Sequence, residues 1–320
     1  MSPSRNLRSA RYAFTLIELL IVIGIIAVLV ALTTASVQKV RAVAVRVRVS
    51  NDITEMQDGM KAAMIKYNGA TVLPSRLVLF NDLTQYLDAT APPGEKPFDI
   101  ALRKRSADTL RKMFGPRLLS NGGYVSWDGA SSPTKSKNVL EGQQCLVFYL
   151  GGVGGITGFS ADPLFPMKPG GDRIGPFFPF KAPRLVGGKF PSYLDPHRNP
   201  TDPLARPYAY FSSTTAPNTY NPYFSFAVPP NPAAAQLSDC TSLGIWPYVD
   251  NTTSPATYLN PNGFQIISAG PDTFFGIGGG PPGSPQTFGG SVYNPKTGAT
   301  NADTRDNQAN FSSATLANPQ

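Results

Sequence analysis

One carboxylate lies at the edge of a long apolar run, where a charge is costly. Residues 19–37, LLIVIGIIAVLVALTTASV, carry no charge, and Glu18 directly precedes them. A run of about 20 apolar residues suffices for a helix to cross a bilayer, and a carboxylate inside one costs up to about 3 kcal/mol, less near its edge. We therefore expect Glu18 to have a specific ionic partner. The alternative is a solvated Glu18 at the membrane interface, with no partner.

Few other side chains could carry chemistry. Cys145 and Cys240 are the only cysteines and His197 is the only histidine, which is too few for a four-ligand zinc site. A Cys145–Cys240 disulfide would add on the order of 4 kcal/mol through loop entropy, and two unpaired buried thiols are the equal alternative. His197 lies in a proline-bounded loop without a nucleophile motif. The Gly151–Gly155 run lacks a phosphate-binding register and indicates a turn. We predict that the protein is not an enzyme.

The composition favours an extracytoplasmic protein. Only 15% of the residues are charged, whereas proline and glycine are abundant, with 32 prolines and 30 glycines. The net charge of +8 alone would suggest a nucleic-acid partner, but basic residues flank the apolar run, which is typical of a membrane span. The three arginines ahead of the run predict a cytoplasmic leader, and the basic cluster after it argues for the opposite orientation. The flanking residues are Arg5, Arg8, Arg11, Lys39, Arg41, Arg46 and Arg48.

A second group of basic residues lies between Arg103 and Arg117. We interpret it as a solvated helix face rather than a DNA-binding surface, so nucleic acid is a disfavoured partner.

Residues 12–20, YAFTLIELL, closely resemble the type III signal of type IV pilins and type II secretion pseudopilins. The resemblance implies that prepilin peptidase cuts between Ala13 and Phe14 and methylates the new amino group of Phe14. Ala13 stands where the family usually has glycine. Glu18 matches the fifth mature residue of the family, a glutamate. The implied partner of Glu18 is the Phe14 ammonium of a neighbouring subunit, because such a pair would offset desolvation and fix the axial register.

A secretory signal peptide is the main alternative for this segment. Its apolar region normally spans about 7 to 15 residues and ends at a small-residue cleavage site, for which Thr33-Thr34-Ala35 would be a poor match.

Helical periodicity predicts one long helix from Phe14 to Tyr67, ending near Asn68-Gly69. The alternation of valines from Val43 to Val49 would also fit a strand. The resulting organisation is a leader (1–13), a membrane-spanning half of the helix (14–37), an amphipathic half (38–68) and a globular head (69–320). We expect an α+β, pilin-like fold, in which this helix packs on an antiparallel sheet with large Pro/Gly-rich loops.

Shorter patterns predict the elements of the head. We expect a short helix within Ser75–Leu87, and a second one over Ile100–Phe114, capped by Asp99. Buried strands are predicted over Gln144–Leu150 and Gly263–Ala269, with weaker candidates over Tyr208–Phe211 and Gly244–Val249. The proline-rich region 163–232 is predicted to be an ordered loop over the sheet.

The carboxyl-terminal segment FQIISAGPD (264–272), followed by Phe274-Phe275-Gly276, resembles the end of G-type major pseudopilins. Residues 303–307, DTRDN, look like the late acidic loop of the same relatives, which often holds calcium. The implied ligands are Asp272, Asp303 and Asp306, because Ca²⁺ takes six to eight hard oxygen ligands. Ordinary turn chemistry is the alternative, and no cofactor is required.

Together these patterns predict a structural subunit that is anchored in the bacterial inner membrane by one span, with a periplasmic carboxyl-terminal head. Its expected partners are prepilin peptidase and other pilin or pseudopilin subunits, in a homo- or heteropolymer. The filament would be a type II secretion pseudopilus that supports protein secretion or a type IV pilus-like fibre. The alternative is a membrane-anchored extracytoplasmic protein that binds DNA or polysaccharide and does not polymerise.

Overall fold

The long amino-terminal helix is confirmed. The computed structural model describes residues 15–67, 69, 72–87, 97–120, 123–127, 136–213, 220, 238–245, 247–250, 257–275, 292–294, 298–299 and 306–312. The chain divides into two compact units, 1–47 and 48–320. Helix α1 (Leu16–Lys66) begins in the first unit and ends in the second. The valines from Val43 to Val49 are helical, so the strand alternative for them is wrong. The predicted start at Phe14 lies outside the described residues.

Within the second unit, α1 has one buried face. Its buried side chains recur at spacings of three and four, as expected when a helix packs one stripe against a core. Tyr67 follows the last turn, and its hydroxyl donates to the carbonyl of Tyr149 at 2.9 Å. The buried apolar residues are Val49, Ile53, Met56, Met60, Ala63 and Tyr67.

The first part of the head contains a two-stranded antiparallel sheet and three helices. Strand β1 (Leu77–Phe80) is fully buried and pairs later with β2. The helix predicted within Ser75–Leu87 is wrong for Leu77–Phe80, which form β1. It is right only for the end of that range, where α2 (Thr84–Leu87) lies. A short run buried on all sides has no periodicity that separates strand from helix. Helix α3 (Pro97–Phe114) is confirmed, with Asp99 inside its first turn rather than at the cap, and α4 (Arg117–Ser120) follows.

Helix α5 (Gly142–Gly151) follows strand β2 (Lys137–Leu140) and corrects a second prediction. Residues Gln144–Leu150 were expected to form a strand. Every side chain from Cys145 to Leu150 is buried, so the helix has no polar face to reveal its period. Its start is stabilised instead by a reciprocal cap, in which the Glu141 backbone N–H donates to Gln144 Oε1 at 3.1 Å.

The remaining strands form small sheets, and the α+β layout is confirmed. Two antiparallel pairs come first: β3 (Phe159–Ser160) with β4 (Arg173–Ile174), and β5 (Leu185–Val186) with β6 (Ser192–Tyr193). The later strands are β7 (Ala209–Ser212), β8 (Val249–Asp250), β9 (Thr257–Tyr258), β10 (Phe264–Ser268), β11 (Val292–Asn294), β12 (Gly298–Ala299) and β13 (Gln308–Ala309). Strand β10 lies between β7 and β13, antiparallel to both. In the other sheet, ordered β12, β11, β8, β9, the β11–β8 pair is parallel.

These strands decide three sequence predictions. Strands β7 and β10 confirm the expectations for Tyr208–Phe211 and Gly263–Ala269. The third, Gly244–Val249, is a strand only at its end, because β8 starts at Val249.

The proline-rich region is ordered over its described part, residues 163–213, and the rest of it, apart from Tyr220, lies outside the described residues. Its aromatic side chains pack edge to face, with ring centroids 4.7 Å apart for Phe178–Phe180 and 4.8 Å apart for Phe180–Tyr193. They belong to the same core as the buried face of α1. The region therefore supplies core, as well as loop.

A close approach between α5 and β7 gives a first prediction. A Cβ at Gly142 would lie 1.9 Å from the Tyr210 carbonyl oxygen and 2.8 Å from the Cys240 sulfur. We expect Gly142→Ala to lower the free energy of unfolding by about 2 kcal/mol, since overpacking outweighs the helix propensity gained. Denaturant unfolding of the full chain in detergent measures this. Gly123→Ala is the control, because nothing lies within 4 Å of its Cβ position, and equal effects of the two changes would contradict the prediction.

Candidate functional site

The amino terminus of α1 carries a reciprocal cap built from Thr15 and Glu18. Glu18 Oε2 accepts the backbone N–H of Thr15 at 2.9 Å and its hydroxyl at 2.8 Å. The backbone N–H of Glu18 donates in return to Thr15 Oγ1 at 3.3 Å. This is a capping box, which satisfies backbone donors that have no partner inside the helix. Glu18 is thus a helix cap, and its other oxygen, Oε1, accepts no hydrogen bond from any described residue.

The helix surface in the first unit is apolar and exposed. Ile17 is 65% exposed, Leu20 58% and Leu29 56%, and the other large apolar side chains between Leu16 and Leu32 are exposed as well. Large exposed apolar surfaces mark sites that contact a membrane or another protein. By length and composition, this is a candidate membrane span near the amino terminus. It is consistent with single-pass anchoring.

The hydroxyl groups within this apolar stretch are satisfied inside the helix. Thr33 Oγ1 donates to the Leu29 carbonyl at 2.9 Å, and Thr34 Oγ1 donates to the Val30 carbonyl at 2.7 Å. Such bonds let hydroxyl groups lie in a membrane without an unsatisfied donor. The helix also runs without interruption through residues 33–35, the weak signal-peptidase site.

Two of the predicted amino-terminal site residues, Ala13 and Phe14, lie outside the described residues. Cleavage between them, methylation of Phe14 and the leader boundary therefore stay predictions. The structure does place Glu18, in the first turn of α1, and adds Thr15, which sequence reasoning missed. Its signal was the Thr-x-x-Glu spacing that precedes an apolar helical run.

The predicted calcium ligands are brought together in part. The backbone N–H of Asp272 donates to Asp306 Oδ2 at 3.3 Å, while Asp272 Oδ1 accepts the Phe274 N–H at 2.8 Å in a local turn. Burial and the Asp272 charge raise the pKa of Asp306. Asp303 lies outside the described residues. Among the residues that the structure describes, no three His, Cys, Asp or Glu side chains converge on one ion, so calcium stays a prediction.

Both cysteines are buried free thiols in this structure. Cys145 Sγ donates to the Leu140 carbonyl at 3.7 Å, and Cys240 Sγ donates to the Tyr210 carbonyl at 3.4 Å. Burial raises the pKa of both thiols, so neither is activated as a nucleophile. The structure has the unpaired arrangement, and the Cys145–Cys240 disulfide stays a prediction.

The imidazole of His197 belongs to a buried polar cluster that sequence reasoning did not assemble. Its Nδ1 lies 3.0 Å from both carboxylate oxygens of Asp195. Ser268 donates its hydroxyl to Asp195 Oδ2 and not to the histidine. A serine hydrolase needs the serine against the imidazole, so this order of contacts does not make a nucleophile–base pair. Asp195 was detectable from the Asp-x-His spacing, whereas Ser268, on β10, had no local signal.

A buried ion pair fixes the second unit's part of α1 to the proline-rich region. Arg184 Nη1 donates to Asp52 Oδ2 at 2.8 Å, and the Tyr208 hydroxyl donates to the same oxygen at 3.1 Å. Arg184 Nε also donates to the Leu194 carbonyl at 2.7 Å, and its guanidinium lies 4.1 Å from the Tyr193 ring centroid. No sequence signal links residues so far apart in the chain. The Asp52–Arg184 pair holds α1 against the proline-rich region, and no described residue around it completes a catalytic arrangement.

The basic residues of α3 are partly used inside the protein. Arg103 is 5% exposed and donates to the Gln85 carbonyl at 3.2 Å. Arg111 pairs with Asp108 at 2.8 Å on the helix surface. Lys104 and Lys112 are exposed. This is the distribution of a solvated helix face with an exposed ion pair between two residues of the same helix.

Comparison with known proteins identifies the amino-terminal segment alone. Residues 8–34 match the family described as the prokaryotic N-terminal methylation motif. The match covers the start of α1 and includes the proposed cleavage point and Glu18. It supports a pilin-like protein that prepilin peptidase processes. No curated protein and no solved structure matches the chain.

Proposed function

We propose that the chain is a structural subunit of a pilin-like filament, either a type II secretion pseudopilus or a type IV pilus-like fibre. It is inserted in the inner membrane by the first part of α1, with the head on the periplasmic side. Prepilin peptidase then removes residues 1–13 and methylates Phe14. The methylation motif at residues 8–34, continued by an apolar helix, carries this proposal.

The charge distribution at the helix start supports assembly through Glu18. Both hydrogen bonds from Thr15 reach Oε2, which leaves Oε1 available to a second donor. In the proposed filament, that donor is the Phe14 ammonium of a neighbouring subunit. Transferring a paired carboxylate and ammonium out of water costs far less free energy than transferring either charge alone. The apolar surface that follows is the surface against which neighbouring helices would pack.

The described part of the head shows neither a serine–histidine pair nor an activated thiol. Its polar clusters are structural: the histidine is not aligned with the serine, and the thiols are buried at raised pKa. These observations favour a structural role over catalysis. Which of the two kinds of filament forms would depend on the assembly system that takes up the subunit.

Intact mass and amino-terminal sequencing of the membrane-extracted protein test the proposal. The full chain is expressed with an active prepilin peptidase and with an inactive one. The expected product begins at methylated Phe14 and appears only with the active enzyme. A chain cut near Ala35, or one left uncut by the active peptidase, would contradict processing. A processed chain that stays monomeric and binds DNA or polysaccharide would instead support the membrane-anchored binding protein.

A further inference from the structure

One phenylalanine projects from the head just after the end of β10. Phe274 is 60% exposed, although Thr273 before it and Phe275 after it are 4% and 5% exposed. Its backbone N–H donates to Asp272 Oδ1 at 2.8 Å, which closes a local turn. Thr273 has a φ of 69°, a value that β-branched residues rarely adopt and that is concentrated at functional sites. Two buried neighbours thus hold the backbone of this turn, while the ring of Phe274 lies in water.

An apolar cavity lies on the head between segments 124–126 and 164–168. Its volume is about 450 Å³, which is typical of binding pockets. It opens to the surface at Phe165, which lines it and is 58% exposed. Among the described phenylalanines, only Phe165 and Phe274 are exposed. Exposed apolar surface of this kind marks a site of contact with another molecule.

The turn and the cavity rest on different parts of the core. Phe275 belongs to the smaller buried cluster, together with Ile267 of β10. Val125, which lines the cavity, belongs to the larger cluster, and Met167 packs against that cluster. Because Phe274 is exposed, it does not fill the cavity of its own chain. A second copy of the chain offers the same ring to it.

The charges on the two surfaces are opposite. Among the residues that line the cavity, Lys168 alone is charged, and Arg173 Nη1 donates to its carbonyl at 2.7 Å. Neither cation forms an ion pair with a described carboxylate. At the turn, the Asp272 N–H donates to Asp306 Oδ2 at 3.3 Å, so two carboxylates lie beside Phe274. Complementary charges orient one surface on another.

We propose that Phe274 of one subunit inserts into this cavity on a second copy of the chain. Asp272 then lies against Lys168, and the two exposed phenylalanine rings cover each other. The contact rests on the proposed filament and adds to it a link between heads. Because the two surfaces differ, head-to-tail joining leaves one turn and one cavity open at the ends of each pair. Such a heterologous contact continues along a fibre, whereas a two-fold dimer would occupy both surfaces of each chain.

Zero-length cross-linking of filaments assembled from the full, processed chain tests the contact. A carbodiimide joins a carboxylate directly to an amine, so the expected product is an amide between Asp272 and Lys168. Denaturing electrophoresis should give a ladder of dimers, trimers and longer species. Mass spectrometry is expected to find the joined peptides in those bands and not in the monomer band, because the bond links two chains.

A variant and a matched control isolate the contribution of the ring. Phe274→Ala is expected to lower the yield of the Lys168–Asp272 cross-link by at least about tenfold, because aromatic anchors carry much of the binding energy of a contact. Leu204→Ala is the control, since Leu204 is 48% exposed and its N–H donates to Asp202 Oδ1 at 2.8 Å in the same kind of turn. This change should leave the yield within about twofold of the wild type.

Four results would overturn the inference. Filaments that assemble without the Lys168–Asp272 cross-link would exclude this contact and leave the proposed function standing, whereas a chain that is neither processed nor assembled would remove the proposed function and the contact with it. A cross-linked product that stops at the dimer would show two-fold pairing. Equal yields in Phe274→Ala and Leu204→Ala would show that the ring is not the anchor. Lys168 joined to a peptide of another protein would assign the cavity to a different partner.

Discussion

Filament yield is expected to fall by at least about tenfold when Glu18 is replaced by Gln, while membrane insertion and removal of the leader continue. The substituted glutamine retains a side-chain carbonyl that accepts the two Thr15 hydrogen bonds, so the helix cap is preserved. Only the charge is lost. An ammonium buried in an apolar filament core without its carboxylate costs several kcal/mol per subunit. The sheared filament fraction, quantified against total processed subunit, measures the effect.

Thr15→Val separates the two roles of Glu18. This change removes the Thr15 hydroxyl, which takes part in two hydrogen bonds of the capping box, and keeps the carboxylate. A lost cap costs about 1 kcal/mol, so filament yield should change little. If Thr15→Val abolishes assembly and Glu18→Gln does not, Glu18 acts as a cap and the ionic pairing between subunits is wrong.

Replacing Asp52 with Asn is expected to lower the free energy of unfolding of the head by about 3–5 kcal/mol, because the buried Arg184 then lacks its counter-charge. The Tyr208 hydroxyl keeps an oxygen to donate to, so the loss comes chiefly from the charge. Denaturant unfolding of the full chain in detergent, followed by tryptophan fluorescence, reports the change, since Trp127 is fully buried.

Two controls define the origin of that loss. The double variant Asp52→Asn/Arg184→Met removes both charges and is expected to recover part of the stability. Asp58→Asn breaks the Lys61–Asp58 pair, whose side chains are 56% and 66% exposed, and should cost less than about 1 kcal/mol. Equal losses in Asp52→Asn and Asp58→Asn would show that the buried pair does not anchor α1.

Elements with one buried and one solvated face were predictable from the sequence. Helix α1 beyond Val49 shows its burial period directly, and α3 combines an apolar stripe with basic residues. Strand β1 and helix α5 were assigned wrongly because nearly every side chain in them is buried. Hydrophobicity then no longer alternates with the backbone period. The capping interaction of Glu141 with Gln144 favours the helical form of α5, and pairing with β2 favours the extended form of β1.

The candidate site divides in the same way. Glu18 was found because it is a charged residue next to a long apolar run. Thr15 could have been found from the Thr-x-x-Glu spacing of a capping box. Asp195 and His197 are also neighbours in the chain, but the hydroxyl that binds Asp195 belongs to Ser268, on the later strand β10. The pairing of Asp52 with Arg184 joins α1 to a loop that local patterns describe only as proline-rich.

The sequence by itself determined the membrane-like first half of α1, the position of its carboxylate and the processing motif, because each depends on residues within a few turns of one another. Tertiary structure alone decided which buried groups meet. Charged and polar side chains leave water only where a partner from a distant segment offsets the desolvation. The contacts of Asp52 with Arg184 and of Asp195 with Ser268 are products of that long-range packing, which no local spacing encodes.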